Sequence, residues 1–142
     1  MTLFRIQPRL PATLRSHADQ MAKGRTSFDL KLRRDGLVHP MPVGASYTTP
    51  NGMSLRPIGP NMDRILRNYP GSPMVYGLQE GSRLPEDLCV VHERGDHYSL
   101  QTTRPVTLAQ LNTTMTAFLE SLPYQTAAQF LEWREDEDDQ DN

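Results

Sequence analysis

The chain has 142 residues, 37% of them apolar and 23% charged, with a formal net charge of −2 and a single cysteine. That length suits one domain, since two cores would each approach the lower limit for independent folding. No run nears the 18 or so apolar residues of a membrane helix, residues 1–14 lack the apolar centre of a signal peptide, and Cys89 alone makes no internal disulfide or zinc site. These features point to a reducing, cytoplasmic setting.

In chain order, Leu3-Phe4-Arg5-Ile6 predicts a short opening strand closed off by Pro8 and Pro11. Residues 12–23 predict a helix ending at Gly24, and Phe28 to Arg33 alternates apolar with charged residues as a half-buried strand does. From Gly36 to Pro60 the chain is dense in proline and glycine without clear periodicity, the pattern of a functional loop, with a short strand expected at Met53-Ser54-Leu55-Arg56. Asn61 is placed to cap a helix reaching Tyr69, where Pro70-Gly71 stops it. Pro73 to Leu78 reads as a strand, Gly81 to Asp87 as a turn, and Leu88–Glu93 with His97–Thr102 as a hairpin around Arg94-Gly95-Asp96. The clearest helix spans 107–121, opened by a Thr107/Gln110 capping box and carrying one apolar stripe. A last short helix is expected from Thr126 through Trp133, followed by an acidic tail over 134–142 that is expected to be disordered. Residues 132–142 hold seven acids and one base, which leaves fourteen basic and ten acidic residues in the preceding 131. A basic body of this kind keeps nucleic acid among the admissible partners.

The hairpin carries the most chemistry. A two-residue Gly95-Asp96 turn would set Arg94 against His97, His92 against Ser99 and Val90 against Gln101. One face would then gather His92, Arg94, His97, Ser99 and Gln101, and the other Cys89, Val91, Tyr98 and Leu100, with Glu93 near the turn. Phosphate-loop, dinucleotide-fingerprint and nucleophile-elbow patterns are absent, and the histidine spacing does not suit a metal.

Three segments together carry a resemblance: Leu3-Phe4-Arg5-Ile6, Pro50-Asn51-Gly52-Met53-Ser54-Leu55-Arg56-Pro57, and Leu84-Pro85-Glu86-Asp87-Leu88 running on to Asp96-His97-Tyr98-Ser99-Leu100. They resemble the small toxin family with an ADP-ribosyltransferase-like fold that includes bacterial type VI secretion effectors and relatives in filamentous fungi. The resemblance implies an α+β domain over residues 1–133, with split small β-sheets, flanking helices and NAD gripped in a cleft. It implies Arg5 as a phosphate-binding arginine, Ser54 at the nicotinamide pocket and His97 as a late-strand catalytic histidine. Beside them, His92 is a cofactor-binding candidate and Ser54 and Gln101 are catalytic candidates. The acid that such transferases place on a late strand has Gln101 and Glu93 as its candidates. An unknown macromolecular target and an immunity protein are the implied partners. Two other readings stay open: an interaction domain that kept the fold without the chemistry, and a metal-independent nuclease using His92 and His97 as acid and base.

Overall fold

A computed structural model describes residues 1–41 and 49–140, with side chains through Glu137. Ten elements follow one another among the described residues: β1 (Leu3–Gln7), α1 (His17–Ala22), β2 (Met53–Pro57), α2 (Pro60–Arg67), β3 (Met74–Leu78), β4 (Leu88–Arg94), β5 (His97–Thr102), α3 (Leu108–Glu120), β6 (Tyr124–Thr126) and α4 (Ala127–Gln140). The strands form one antiparallel sheet in the order β4-β5-β2-β1-β3-β6.

Strand alternation divides the apolar residues between two layers. On one face, Leu3, Leu55, Tyr76, Leu78, Leu88 and Leu100 meet Leu111, Met115, Phe118 and Leu119 of α3. On the other, Phe4 and Val75 meet Met62 and Leu66 of α2 and Phe130 of α4, with the Phe4 and Phe130 rings edge-on at 5.1 Å. The capping box at Thr107 and Gln110 is complete, with Thr107 N donating to Gln110 Oε1 and Gln110 N to Thr107 Oγ1.

The centre of the sheet is split. β1 and β2 share only the pairs Leu3↔Pro57 and Phe4↔Arg56, after which β1 continues against β3 and β2 against β5. A polar side chain can therefore enter between two strands that are adjacent in the sheet, and Arg5 does so.

Several elements differ from what the sequence suggests. The first helix is confined to His17–Ala22, because Arg15 N donates to Asp29 Oδ2 and Ser16 caps the helix through Asp19 N. Residues 28–33 make no strand. Leu30 joins Ser16 by an isolated bridge and is fully buried, whereas Leu32 is exposed and the Asp29 carboxylate turns inward to Arg15. The cap of α2 is Gly59, with Pro60 in the first turn, instead of Asn61, which donates to Asp96. Part of the loop expected over Gly36–Pro60 lies outside the described residues. β6 is an addition, pairing Tyr124–Thr126 with β3. Thr126 caps the final helix, with Thr126 N and Gln129 N exchanging bonds with the two side chains.

The final helix also continues through the acidic segment to Gln140, where a disordered tail from residue 134 was expected. Arg134 accounts for the difference. Its Nε and Nη2 reach the two carboxylate oxygens of Asp63, each at 3.2 Å, with both side chains largely buried. The bond fastens α4 to α2 one residue past Trp133, so helical propagation carries on from an anchored turn.

Candidate functional site

The hairpin register decides which side chains meet. Arg94 pairs with His97 as expected, and Gly95 supplies the turn at φ +48°. A bulge between His92 and Arg94 then inserts Glu93 as an extra residue. Every residue before the bulge changes face relative to the expected pairing: His92 lies opposite Tyr98, Val91 opposite Ser99, Val90 opposite Leu100 and Cys89 opposite Gln101. His92 thus leaves the polar face. Its ring stacks on Tyr98 at 4.2 Å, and its Nε2 lies 2.7 Å from Gly95 O. His92 and His97 stand on opposite faces, so they form no acid–base pair for phosphodiester cleavage.

The bulge brings Glu93 to the face that holds His97, Ser99 and Gln101. Glu93 Oε2 is 2.5 Å from His97 Nδ1. Both atoms are shut off from solvent and neighbour each other as an ion-pair contact that falls outside hydrogen-bond geometry, the Glu93 side chain being 1% exposed and that of His97 15%. On its other edge, His97 Nε2 is 3.1 Å from Ser54 Oγ. An ionised carboxylate only accepts, so a proton on Nδ1 suits the Glu93 contact, and Nε2 shares one hydrogen bond with the Ser54 hydroxyl whose direction follows the tautomer. Ser54 is carried there by β2, whose Ser54↔Ser99 pair lies directly across from the hairpin.

Gln101 stands behind this row and is fully buried. Its Nε2 donates to Ser99 Oγ at 2.6 Å and approaches Glu93 Oε1 at 3.5 Å, while its Oε1 accepts from Asn51 Nδ2 at 3.3 Å. Asn51 can come this close because Gly52 follows it. A Cβ at position 52 would stand 2.2 Å from the backbone oxygen of Leu100. Gln101 therefore meets protein groups on every side, and in this structure it holds Glu93 and Ser99 in place.

Arg5 completes the group from the other side of the split. Its Nε donates to Gln7 Oε1 at 3.0 Å, and its Nη1 reaches the carbonyl oxygen of Ser54 at 3.5 Å. Burial lowers its pKa from the ordinary arginine range, an effect that the charge of Asp29 opposes. The guanidinium stays protonated at neutral pH. Arg5, Ser54 and His97 are thus contiguous, and Glu93 joins them through His97.

A cleft of about 570 Å³ opens at the split. Thr13 and Arg15 line it from the loop before α1, where Ala12 N and Leu14 N donate to Thr116 Oγ1 and Asn112 Oδ1 of α3, and Ser27 and Asp29 line it from the segment after α1. Met62, Ile65 and Tyr69 line it from the α2 side, and Arg5, Ser54 and Arg56 from the strands. His97 opens onto an adjoining hollow of about 340 Å³, which shares Arg56 with the cleft. Two of the three cleft arginines have carboxylate partners: Arg15 holds Asp29 through Nε and Nη2, and Arg56 holds Asp96 at 3.0 Å. Among the described residues, Arg5 has none. The cleft thus presents one guanidinium whose charge has no carboxylate partner among the described residues, a donor set that suits phosphate and pyrophosphate oxygens. Its volume also lies within the usual range for small-molecule sites.

The sequence reading named Glu93 as an acid candidate but set it on the wrong strand register, and it passed over Asn51 and Tyr69. A β-bulge leaves no mark in a segment whose apolar residues occupy both alternations, as Leu88, Cys89, Val90 and Val91 do. For Asn51, the signal was the neighbouring Gly52.

A six-stranded antiparallel sheet split at its centre and flanked by helices on both faces makes an α+β domain, consistent with the ADP-ribosyltransferase-like fold that the sequence resemblance implies. The comparison with known families agrees. Residues 1–130 match the family described as Tse2 ADP-ribosyltransferase toxin, and the chain belongs to that family. Neither the curated proteins nor the solved structures contain a match to this chain. Among the described residues, no helix is long and apolar enough to cross a membrane.

Proposed function

We propose that this domain binds NAD in the cleft between β1 and β2 and breaks its bond to nicotinamide, passing ADP-ribose to a macromolecular target or to water. The observation that carries this reading is the Arg5 guanidinium, without a carboxylate partner among the described residues, set against the Ser54–His97–Glu93 row. Arg5 takes the pyrophosphate, with paired N–H donors in a partly desolvated place. The Ser54 hydroxyl, its proton engaged by His97, turns its lone pairs to the cleft and accepts from the nicotinamide amide or a ribose hydroxyl. Positive charge develops on the ribose as nicotinamide departs, and the negative charge of Glu93, relayed by His97, opposes it. Tyr69 offers an aromatic face to a bound ring. His92 contributes nothing to the cleft, and Gln101 acts by holding Glu93.

Membership of a toxin family supports a macromolecular target inside a recipient cell and an immunity protein as the cognate partner. The test of the activity is direct. Incubated with NAD, the full chain should release free nicotinamide, and His97→Ala should lower turnover by about 100-fold or more while retaining NAD binding. NAD binding without any release of nicotinamide would put a binding domain in place of an enzyme.

A further inference from the structure

Ser54, His97 and Glu93 stand in the order hydroxyl, imidazole, carboxylate. Ser54 Oγ lies 3.1 Å from His97 Nε2, and His97 Nδ1 lies 2.5 Å from Glu93 Oε2. This is the arrangement by which serine hydrolases make a hydroxyl nucleophilic. The imidazole takes the hydroxyl proton, and the buried carboxylate orients the ring and stabilises the imidazolium. An NAD-cleaving site has no need of such a row merely to bind. A lone Ser hydroxyl accepts hydrogen bonds equally well, and burying a carboxylate to 1% exposure is costly unless its charge is used. The β-bulge that places Glu93 here leaves it outside the β4–β5 pairing.

We infer that Ser54 is a nucleophile and that it takes ADP-ribose onto its own Oγ, so that the toxin domain modifies itself inside its cleft. The inference rests on the NAD reading above. In the step, a bond forms between Ser54 Oγ and C1′ of the nicotinamide ribose as the bond from C1′ to the nicotinamide nitrogen breaks. The bonding pair leaves with nicotinamide, which departs neutral. The Ser54 proton passes to His97 Nε2, and Glu93 holds the resulting imidazolium. The product is an O-glycoside on Ser54, and no oxidant or further reactant enters. Arg5 favours this acceptor over bulk water. Its guanidinium is bonded to the Ser54 carbonyl, so a pyrophosphate held there keeps the attached ribose beside the same residue. A domain modified in this way fills its own cleft, so self-modification competes with transfer of ADP-ribose to the target or to water.

Two measurements on the full chain test the inference. The first incubates the wild-type protein with NAD, follows nicotinamide, and maps modified peptides by mass spectrometry. One ADP-ribosyl group on the peptide containing Ser54, appearing together with nicotinamide, is the expected result. Nicotinamide release with that peptide unmodified overturns the inference and leaves the NAD reading intact. Absence of nicotinamide release overturns both.

The second measurement needs no NAD. A fluorophosphonate probe should phosphonylate Ser54 with loss of fluoride, and Ser54→Ala should abolish the label. His97→Ala, or His97→Gln where the smaller side chain impairs folding, should slow labelling by about 100-fold or more. Glu93 acts through His97 and is a positioning residue. Glu93→Gln should lower the maximal labelling rate and leave the half-saturating probe concentration unchanged. A folded wild-type protein inert to the probe would refute an activated Ser54.

Discussion

Replacing Arg5 by Met separates the cost of building the cleft from the gain of filling it. Methionine keeps most of the apolar stem and removes the guanidinium. In the free protein the charge makes one good hydrogen bond, to Gln7 Oε1 at 3.0 Å, and a long one to Ser54 O at 3.5 Å. Losing a bond from a charged donor costs about 1.5–3 kcal/mol. Removing a partly desolvated cation that has no carboxylate partner works the other way. The two effects oppose each other, so unfolding stability should change by no more than about 1–2 kcal/mol. Binding should respond quite differently. Truncating one partner of a desolvated charge pair costs about 2–5 kcal/mol, which is roughly 30- to 4,000-fold in Kd. Titration calorimetry with NAD or ADP-ribose measures that loss. The thermal shift gives an independent reading: ligand at 100 times the wild-type Kd stabilises the wild-type protein by about 2.7 kcal/mol, and at the same concentration the variant should gain about 0.9 kcal/mol or less. A Kd for Arg5→Met within about threefold of wild type would mean that the phosphates bind elsewhere and that the cleft has been misread.

Gly52→Ala should destabilise the fold by about 1–3 kcal/mol or more, since its Cβ would stand 2.2 Å from the Leu100 carbonyl, and an unchanged urea midpoint would contradict the close approach. Truncation before Arg134 should lower the melting temperature by freeing the largely buried Asp63 carboxylate, whereas truncation after Glu137 should not; equal midpoints for the two would refute the anchoring role of the pair. Burial raises the Cys89 thiol, so the protonated form extends to higher pH in the folded state than in the unfolded chain. Alkylation by iodoacetamide at neutral pH should therefore be slower folded than in denaturant and should accelerate as the pH rises; equal rates would show a thiol that burial does not affect.

What the sequence revealed follows from the kind of interaction involved. Elements driven by their own periodicity were legible: the apolar stripe of 107–121, the hairpin strands and the opening strand are each specified by residues close together in the chain. Elements set by a distant partner were not. Residues 28–33 alternate as a strand should, yet the Asp29 carboxylate is claimed by Arg15 from fourteen positions away, and the segment folds as loop. The acidic segment should repel itself into disorder, but Arg134 finds Asp63 on another helix. At the site, the types and rough places of Arg5, Ser54 and His97 were readable through the family resemblance. The partner of His97 was not, because hairpin register cannot be read through a bulge.

That bulge is what gives the hairpin a site at all. With plain alternation, His92 would face Ser99, and the polar surface would hold two histidines, an arginine and no acid. One extra residue moves His92 to stack on Tyr98 and delivers Glu93 into a solvent-free contact with His97. The sheet split does the corresponding work for charge of the other sign, admitting Arg5 where a continuous ladder between β1 and β2 would have closed the gap. A buried carboxylate and a partly buried guanidinium, joined only through His97 and Ser54, are poor contributors to stability, and the two apolar layers must outweigh them. In the function proposed above, their opposite signs would suit a ligand that is anionic at its pyrophosphate and turns cationic at its ribose as the glycosidic bond breaks. A site selected only for stability would have paired Arg5 with an acid, as this same cleft does for Arg15 and Arg56.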